Sequence, residues 1–114
     1  MPRVYLRTNL PGEKISVEFH KKLSAKLAEV LNKPPESVWV SVETDLRLSH
    51  GGGFQPLCLL DITCIGLNTR ELTQPVTEKL TEFIADHTCI TPRNIQVVMH
   101  EPMPYEVGVN GKVF

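Results

Sequence analysis

Proline at the second position offers chemistry that no other proline in this chain can supply. An initiator methionine is normally trimmed when proline follows, so the mature chain is expected to begin at Pro2. Its nitrogen is then a secondary amine, whereas every internal proline nitrogen is locked in an amide. An α-amino group titrates near ~7.7–8.0 in open solution, close enough to neutrality for modest surroundings to hold it deprotonated. A neutral terminal amine is a general base built from the backbone. The plainer alternative is that proline is simply a common second residue. Lys33 is the cation that bears on the choice. It stands in Asn32-Lys33-Pro34-Pro35, where two prolines forbid helix continuation and set a fixed corner. Taken alone, Lys33 reads first as a solvated residue at a helix C-terminus, where a cation complements the dipole.

The elements that would position these groups form two like units. Val4, Leu6 and Thr8 alternate with Arg3, Tyr5 and Arg7 as a strand that Asn9-Leu-Pro-Gly12 breaks. Ser16 is the expected N-cap of a helix whose apolar stripe is Phe19, Leu23, Leu27, Val30 and Leu31. Ser37 to Glu43 follows as a strand alternating around Val38, Val40 and Val42. After Ser49-His-Gly-Gly-Gly53 the pattern restarts. Leu57 to Ile65 is an apolar strand ended by Gly66, and Leu72, Val76, Leu80, Phe83 and Ile84 share a helix face. Pro75 fits that helix only in its first turn, which predicts a start near Thr73. Asn94 to His100 is the fourth strand.

Sliding the chain by about 57 positions places Lys22, Leu23, Leu27, Ala28, Pro35, Val38 and Val40 on Lys79, Leu80, Ile84, Ala85, Pro92, Ile95 and Val97. The expected fold is therefore α+β within one domain, 1–114, with repeats at 1–50 and 51–101 and a tail at 102–114. Two βαβ repeats form a four-stranded mixed sheet with both helices on one face. Val38, Trp39 and Val40 put apolar residues on both faces of one strand, so the uncovered face is expected to bury against other copies of the chain. The tail, with Val107, Val109, Val113 and two glycines, is expected to make short edge pairing within the chain or with a neighbour.

Composition narrows the function classes. Hydrophobic residues make up 41% and charged residues 22% of 114 positions, as in a globular domain. A net charge of −1 gives no case for nucleic acid or an anionic membrane as partner. No apolar stretch approaches the ~20 residues of a membrane span, so insertion is not expected. No secretory leader is read, which makes the cytoplasm the default compartment and leaderless export the alternative. Cys58, Cys64 and Cys89 are odd in number and lack C-x-x-C spacing, which suits reduced packing residues. His20, His50, His87 and His100 are scattered, so no metal site is expected. Gly51-Gly52-Gly53 lacks the Lys-Ser/Thr of a phosphate cradle and reads as a turn.

Pro2, Thr8-Asn9, Lys33-Pro34-Pro35, the glycine cluster before Pro56, Ile65-Gly66, Thr91-Pro92 and Val107-Gly108…Asn110-Gly111…Phe114 occur together and in order. As a set they resemble the macrophage migration inhibitory factor and D-dopachrome tautomerase family over essentially the whole chain. The resemblance implies a homotrimer whose sheets line a central barrel, with active sites at the subunit interfaces. It implies keto–enol tautomerisation of phenylpyruvate- or dopachrome-like acids, with Pro2 as the base and Lys33 receiving the substrate carboxylate. Ile65 would supply a backbone amide, Val107 and Phe114 apolar wall. No metal or coenzyme is called for. The alternative that the family also implies is a secreted, cytokine-like signal acting on a cell-surface receptor, with a weak or vestigial pocket.

The chain departs from the migration inhibitory factor pattern at four positions. Gln96 and Val98 stand where that branch has a tyrosine and an asparagine, Val109 replaces a tryptophan, and Ser37 replaces an aromatic residue. The D-dopachrome branch also lacks the tyrosine–asparagine pair. Gln96 is expected either to reach substrate from a neighbouring subunit or to face solvent across its strand. Leu57 and Leu60 occupy the positions of the cysteine pair behind the family's thiol-oxidoreductase activity, so that activity is not expected.

Overall fold

The computed structural model describes residues 1–114. Its main elements are β1 (Arg3–Thr8), α1 (Val17–Leu31), β2 (Trp39–Glu43), β3 (Cys58–Thr63), α2 (Arg70–Thr88) and β4 (Ile95–His100). A short hairpin of β5 (Gly108–Val109) and β6 (Lys112–Val113) closes the chain. The sheet order is β2-β1-β3-β4, with β1 parallel to β2, antiparallel to β3, and β3 parallel to β4. Each β-α-β unit thus makes its own parallel pair, and the two units join along the antiparallel β1–β3 seam.

Alternation in the strands selects one face for the core. Val4, Leu6, Leu60 and Ile62 are essentially fully buried and cluster with Phe19, Leu23 and Leu27 of α1 and Val76, Leu80 and Ile84 of α2. Both helices therefore cover the same face. Helix α1 begins where Ser16 Oγ accepts the Phe19 N–H at 3.1 Å, satisfying one of the orphan donors of the first turn. Phe19 also stacks on Phe83 at 5.9 Å between ring centroids, which ties α1 to α2. Across the β1–β3 seam, Tyr5 pairs directly with Asp61, and Val4↔Ile62 and Leu6↔Leu60 flank that pair symmetrically. Val4 thus corresponds to Leu60 and Leu6 to Ile62, an offset one residue shorter than along the helices.

Several expectations need correction. Strand β2 begins at Trp39, because Pro35–Ser37 wind into a 3-10 turn. Strands β3 and β4 are likewise shorter than expected at their ends. Helix α2 starts at Arg70, which leaves Pro75 in the second turn instead of the first. Pro75 and Glu71 are both exposed, so the carbonyl that the missing N–H would have met can bond to water. Leu72 is also exposed and does not belong to the buried stripe.

The uncovered face mixes apolar and charged groups. Val40 and Val42 point toward the helices with Val97 and Met99. The opposite face carries Trp39, Leu59 and Val98 around a polar centre. There Asp61 receives Arg7 at 3.4 Å and His100 at 3.1 Å, Tyr5 hydroxyl bonds Glu43, and the Arg7 guanidinium lies 5.3 Å from the Tyr5 ring centroid. A face so built is not a dry interface. In the tail, Asn110 and Gly111 both take positive φ (56° and 78°), the turn that matches the twist of a two-residue hairpin.

Thr8 and Asn9 close the end of β1 that points away from the N-terminus. Thr8 Oγ1 donates to Leu57 O at 2.7 Å and accepts the Leu10 N–H at 3.1 Å, all buried. Asn9 clamps the same loop through Gln55 O and the Leu57 N–H. Thr8→Val should therefore cost about 1–3 kcal/mol in urea unfolding, because it strands two buried backbone groups while keeping side-chain shape. A second expectation concerns alkaline pH. Burial pushes the Cys58 thiol from 9.0 to about 12. Its folded pKa lies above its unfolded one, so the stabilisation is intact below pH 9 and is lost as pH rises above it. By pH 10 the loss should be roughly 1 kcal/mol, and Cys58→Ala should flatten that part of the stability–pH curve.

Candidate active site at the amino terminus

Strand β1 is an inner strand, so the residue before it is drawn into the fold. Pro2 is buried, and its carbonyl accepts the Trp39 N–H at 2.9 Å, which extends the β1–β2 ladder to the chain terminus. With Met1 attached, the Pro2 nitrogen is an amide. Met1 itself lines two cavities on either side of the terminus.

The first, 280 Å³, is lined by Met1, Lys33, Cys64, Ile65, Pro104 and Phe114. Lys33 is placed there by the end of α1. Asn32 takes the left-handed conformation (φ 55°, ψ 51°), its N–H bonds Glu29 O at 3.2 Å, and the Lys33 N–H bonds Ala28 O at 2.9 Å. This pair of reversed bonds is a Schellman closure, and it fixes the Lys33 backbone before the Pro34-Pro35 corner takes over. No carboxylate lies within 4 Å of the Lys33 ammonium. Ile65 follows β3, where Gly66 (φ 94°) turns the chain sharply. The Ile65 N–H has no backbone partner in the fold, so it is a donor available to a ligand. Phe114 returns to this wall because its N–H bonds Val107 O at 3.0 Å across the tail hairpin.

The second cavity, 420 Å³, is lined by Met1, Arg3, Trp39, Thr63, Pro102, Glu106, Val107, Gly108 and Val109. Of the candidate residues, the structure thus gathers Lys33, Ile65 and Phe114 in one cavity beside the terminus and puts Val107 in its neighbour. Gln96 joins neither. It is exposed on the helix-free face of β4, in a 340 Å³ cavity with Ser49, His50 and Arg93. Within one chain it has no access to the Pro2 region.

Sequence reasoning missed Cys64, Pro104, Arg3 and Trp39. Cys64 read as packing, and Trp39 as one apolar strand residue among three. The signal available was parity: Arg3 and Trp39 stand opposite one another in the β1–β2 register, on the face the helices leave open. Cys64 is a buried neighbour of both charged groups. Burial raises its thiol pKa, while the Lys33 ammonium and the terminal amine pull it back down. The terminus, Lys33 and Cys64 therefore share one electrostatic environment. A cation so placed favours ionisation of an adjacent thiol.

The family model described as macrophage migration inhibitory factor (MIF) matches residues 1–114. The chain belongs to the macrophage migration inhibitory factor family. Among its relatives, MIF-like protein mif-2 of Caenorhabditis elegans is 33% identical over 111 residues, covering 97% of this chain and 92% of that protein. D-dopachrome decarboxylase-B of Xenopus laevis is 31% identical, covering 99% and 97%. The solved structure of the migration inhibitory factor from Trichinella spiralis superposes with a TM-score of 0.92 at 25% identity, covering 98% of this chain and 99% of that one. The four-stranded mixed sheet with two helices is thus the family fold, and the kinship supports a tautomerase or cytokine-like role.

The shared environment of Lys33 and Cys64 is open to a direct check. Lys33→Met removes the charge at nearly constant bulk and should slow iodoacetamide alkylation of Cys64 at pH 9, roughly twofold for a partly solvated pair. Exposed Cys89 should react at an unchanged rate in the same digest.

Proposed function

We propose that the protein is a keto–enol tautomerase that uses Pro2, freed of Met1, as its general base. The observation that carries this reading is the cavity beside the terminus, lined by Lys33, whose ammonium is unpaired, and by Ile65, whose N–H is free. A 2-keto acid such as phenylpyruvate would set its carboxylate on Lys33 and its carbonyl oxygen toward the Ile65 N–H. Its methylene would then meet the Pro2 nitrogen. The C–H bond breaks toward that nitrogen, the electron pair moves into the new C=C bond, and the carbonyl oxygen takes that proton from the Pro2 ammonium, which gives the enol and restores the neutral amine. The reverse direction returns the proton from the Pro2 ammonium to carbon, so no redox partner is consumed. Phe114, Pro104 and Ile65 give the cavity an apolar wall on which the carbon chain of the substrate would lie.

The trimer belongs to this proposal. Its support is the family membership and the helix-free sheet face, whose Arg7–Asp61–His100 centre and 840 Å³ cavity suit a wet central channel better than a packed seam. A cytokine-like role is the second reading, favoured by relatives named for migration inhibition, such as the Trichuris trichiura homologue at 28% identity.

The test is an absorbance assay with phenylpyruvate and D-dopachrome methyl ester on protein whose mass shows loss of Met1. Wild type should turn over at least one substrate and Pro2→Gly should be nearly inactive. Lys33→Ala should lower kcat/KM roughly ten- to a hundredfold, the worth of one hydrogen bond to a charged group. Absence of turnover by processed wild type would remove the enzymatic reading and leave the signalling one.

A further inference from the structure

The geometry points to a second anion subsite at Arg3, so that the processed cleft takes an enolisable acid carrying a second carboxylate at its far end. This rests on the reading of Pro2 as the mature terminus. Met1 is common to the walls of the 280 Å³ and 420 Å³ cavities. Its loss would join them into one cleft beside Pro2, with Lys33 toward one end and Arg3 toward the other. Like Lys33, the Arg3 guanidinium has no carboxylate within 4 Å. Two unpaired cations flanking one basic nitrogen form a site for a dianion, and the planar guanidinium fork is suited to a second carboxylate.

The wall between the two cations is apolar and flat-sided. Trp39, more than half exposed, and Val107 line the Arg3 end, so an aromatic or extended carbon spacer between the two acids has surface to cover. Glu106 is the one carboxylate in this cavity. Its Oε1 accepts the Met103 N–H at 2.9 Å, which holds it within its own turn. It confines an incoming anion to the Arg3 side.

The probes are 4-(carboxymethyl)benzoate, a dianion, and phenylacetate, its monoanionic counterpart, neither of which has a carbonyl to enolise. Affinity is read by calorimetry and location by the emission of Trp39, the only tryptophan in the chain. Processed wild type should bind the dianion roughly tenfold tighter than phenylacetate, with a change in Trp39 emission. Arg3→Gln should erase that preference, and Glu106→Gln should increase it. Protein that retains Met1, prepared from cells with methionine aminopeptidase inhibited, should show no preference. Equal affinity for the two probes, a preference that survives Arg3→Gln, or binding without a change in Trp39 emission would each overturn the subsite. Phenylpyruvate turnover by the same processed wild type judges the tautomerase reading separately, because the subsite can fail while turnover persists and binding can discriminate where turnover is absent.

Discussion

The position of β1 inside the sheet is the constraint on which the rest depends. Most chains begin at an edge or in solvent, where a terminal amine is fully hydrated and protonated at neutral pH. Here the first strand has hydrogen-bonded neighbours on both sides, and the ladder continues back to the Pro2 carbonyl. Pro2 is therefore buried by the same pairing that builds the sheet. On the proposed reading, the amine freed by loss of Met1 would sit at the floor of a crevice and not on the surface. Moving β1 to an edge would keep the helices and the core, yet it would abolish the site.

Around that terminus, each neighbouring group is set by a local backbone device. The left-handed Asn32 and the two prolines fix Lys33, Gly66 turns the chain at Ile65, and the Asn110-Gly111 turn folds Phe114 back. The Lys33 corner follows sequence-local rules and was legible as such, whereas Ile65 and Phe114 entered only through the family resemblance. The alternation of Val4, Leu6, Val40 and Val42 and the i, i+4 stripe of α1 were legible for the same reason. Less visible were properties that depend on two segments at once. Arg3 and Trp39 become neighbours only through the β1–β2 register, and Met1 becomes a shared wall only through the tail. Pro75 misled the reading of α2 because its cost depends on whether water can reach one carbonyl.

The helix-free face teaches a related lesson. Apolar residues on both sides of β2 argued for a greasy uncovered surface, but parity sends Val40 and Val42 to the core and leaves one tryptophan outside. At the seam, the pair on the pseudo-twofold axis is Tyr5 and Asp61, a polar choice at the geometric centre. Arg7 and His100 then gather on that carboxylate from the strands to either side. Copies of the chain meeting on this face would have to keep water between them, or leave several charges without solvation.

The internal pseudo-symmetry has an outcome for the Arg3 cavity. Under the twofold relation, Met1, Arg3 and Trp39 map onto Leu57, Leu59 and Gln96, and those three line the 340 Å³ cavity toward the opposite edge of the sheet. The mate of Lys33 is Ile90, which is buried. One scaffold thus presents the same hollow twice, once open to an amine and once plugged by continuous chain and aliphatic side groups. A circular permutant opened before Cys58 would exchange which hollow holds the loose end, but without a cation at Ile90 to stand in for Lys33.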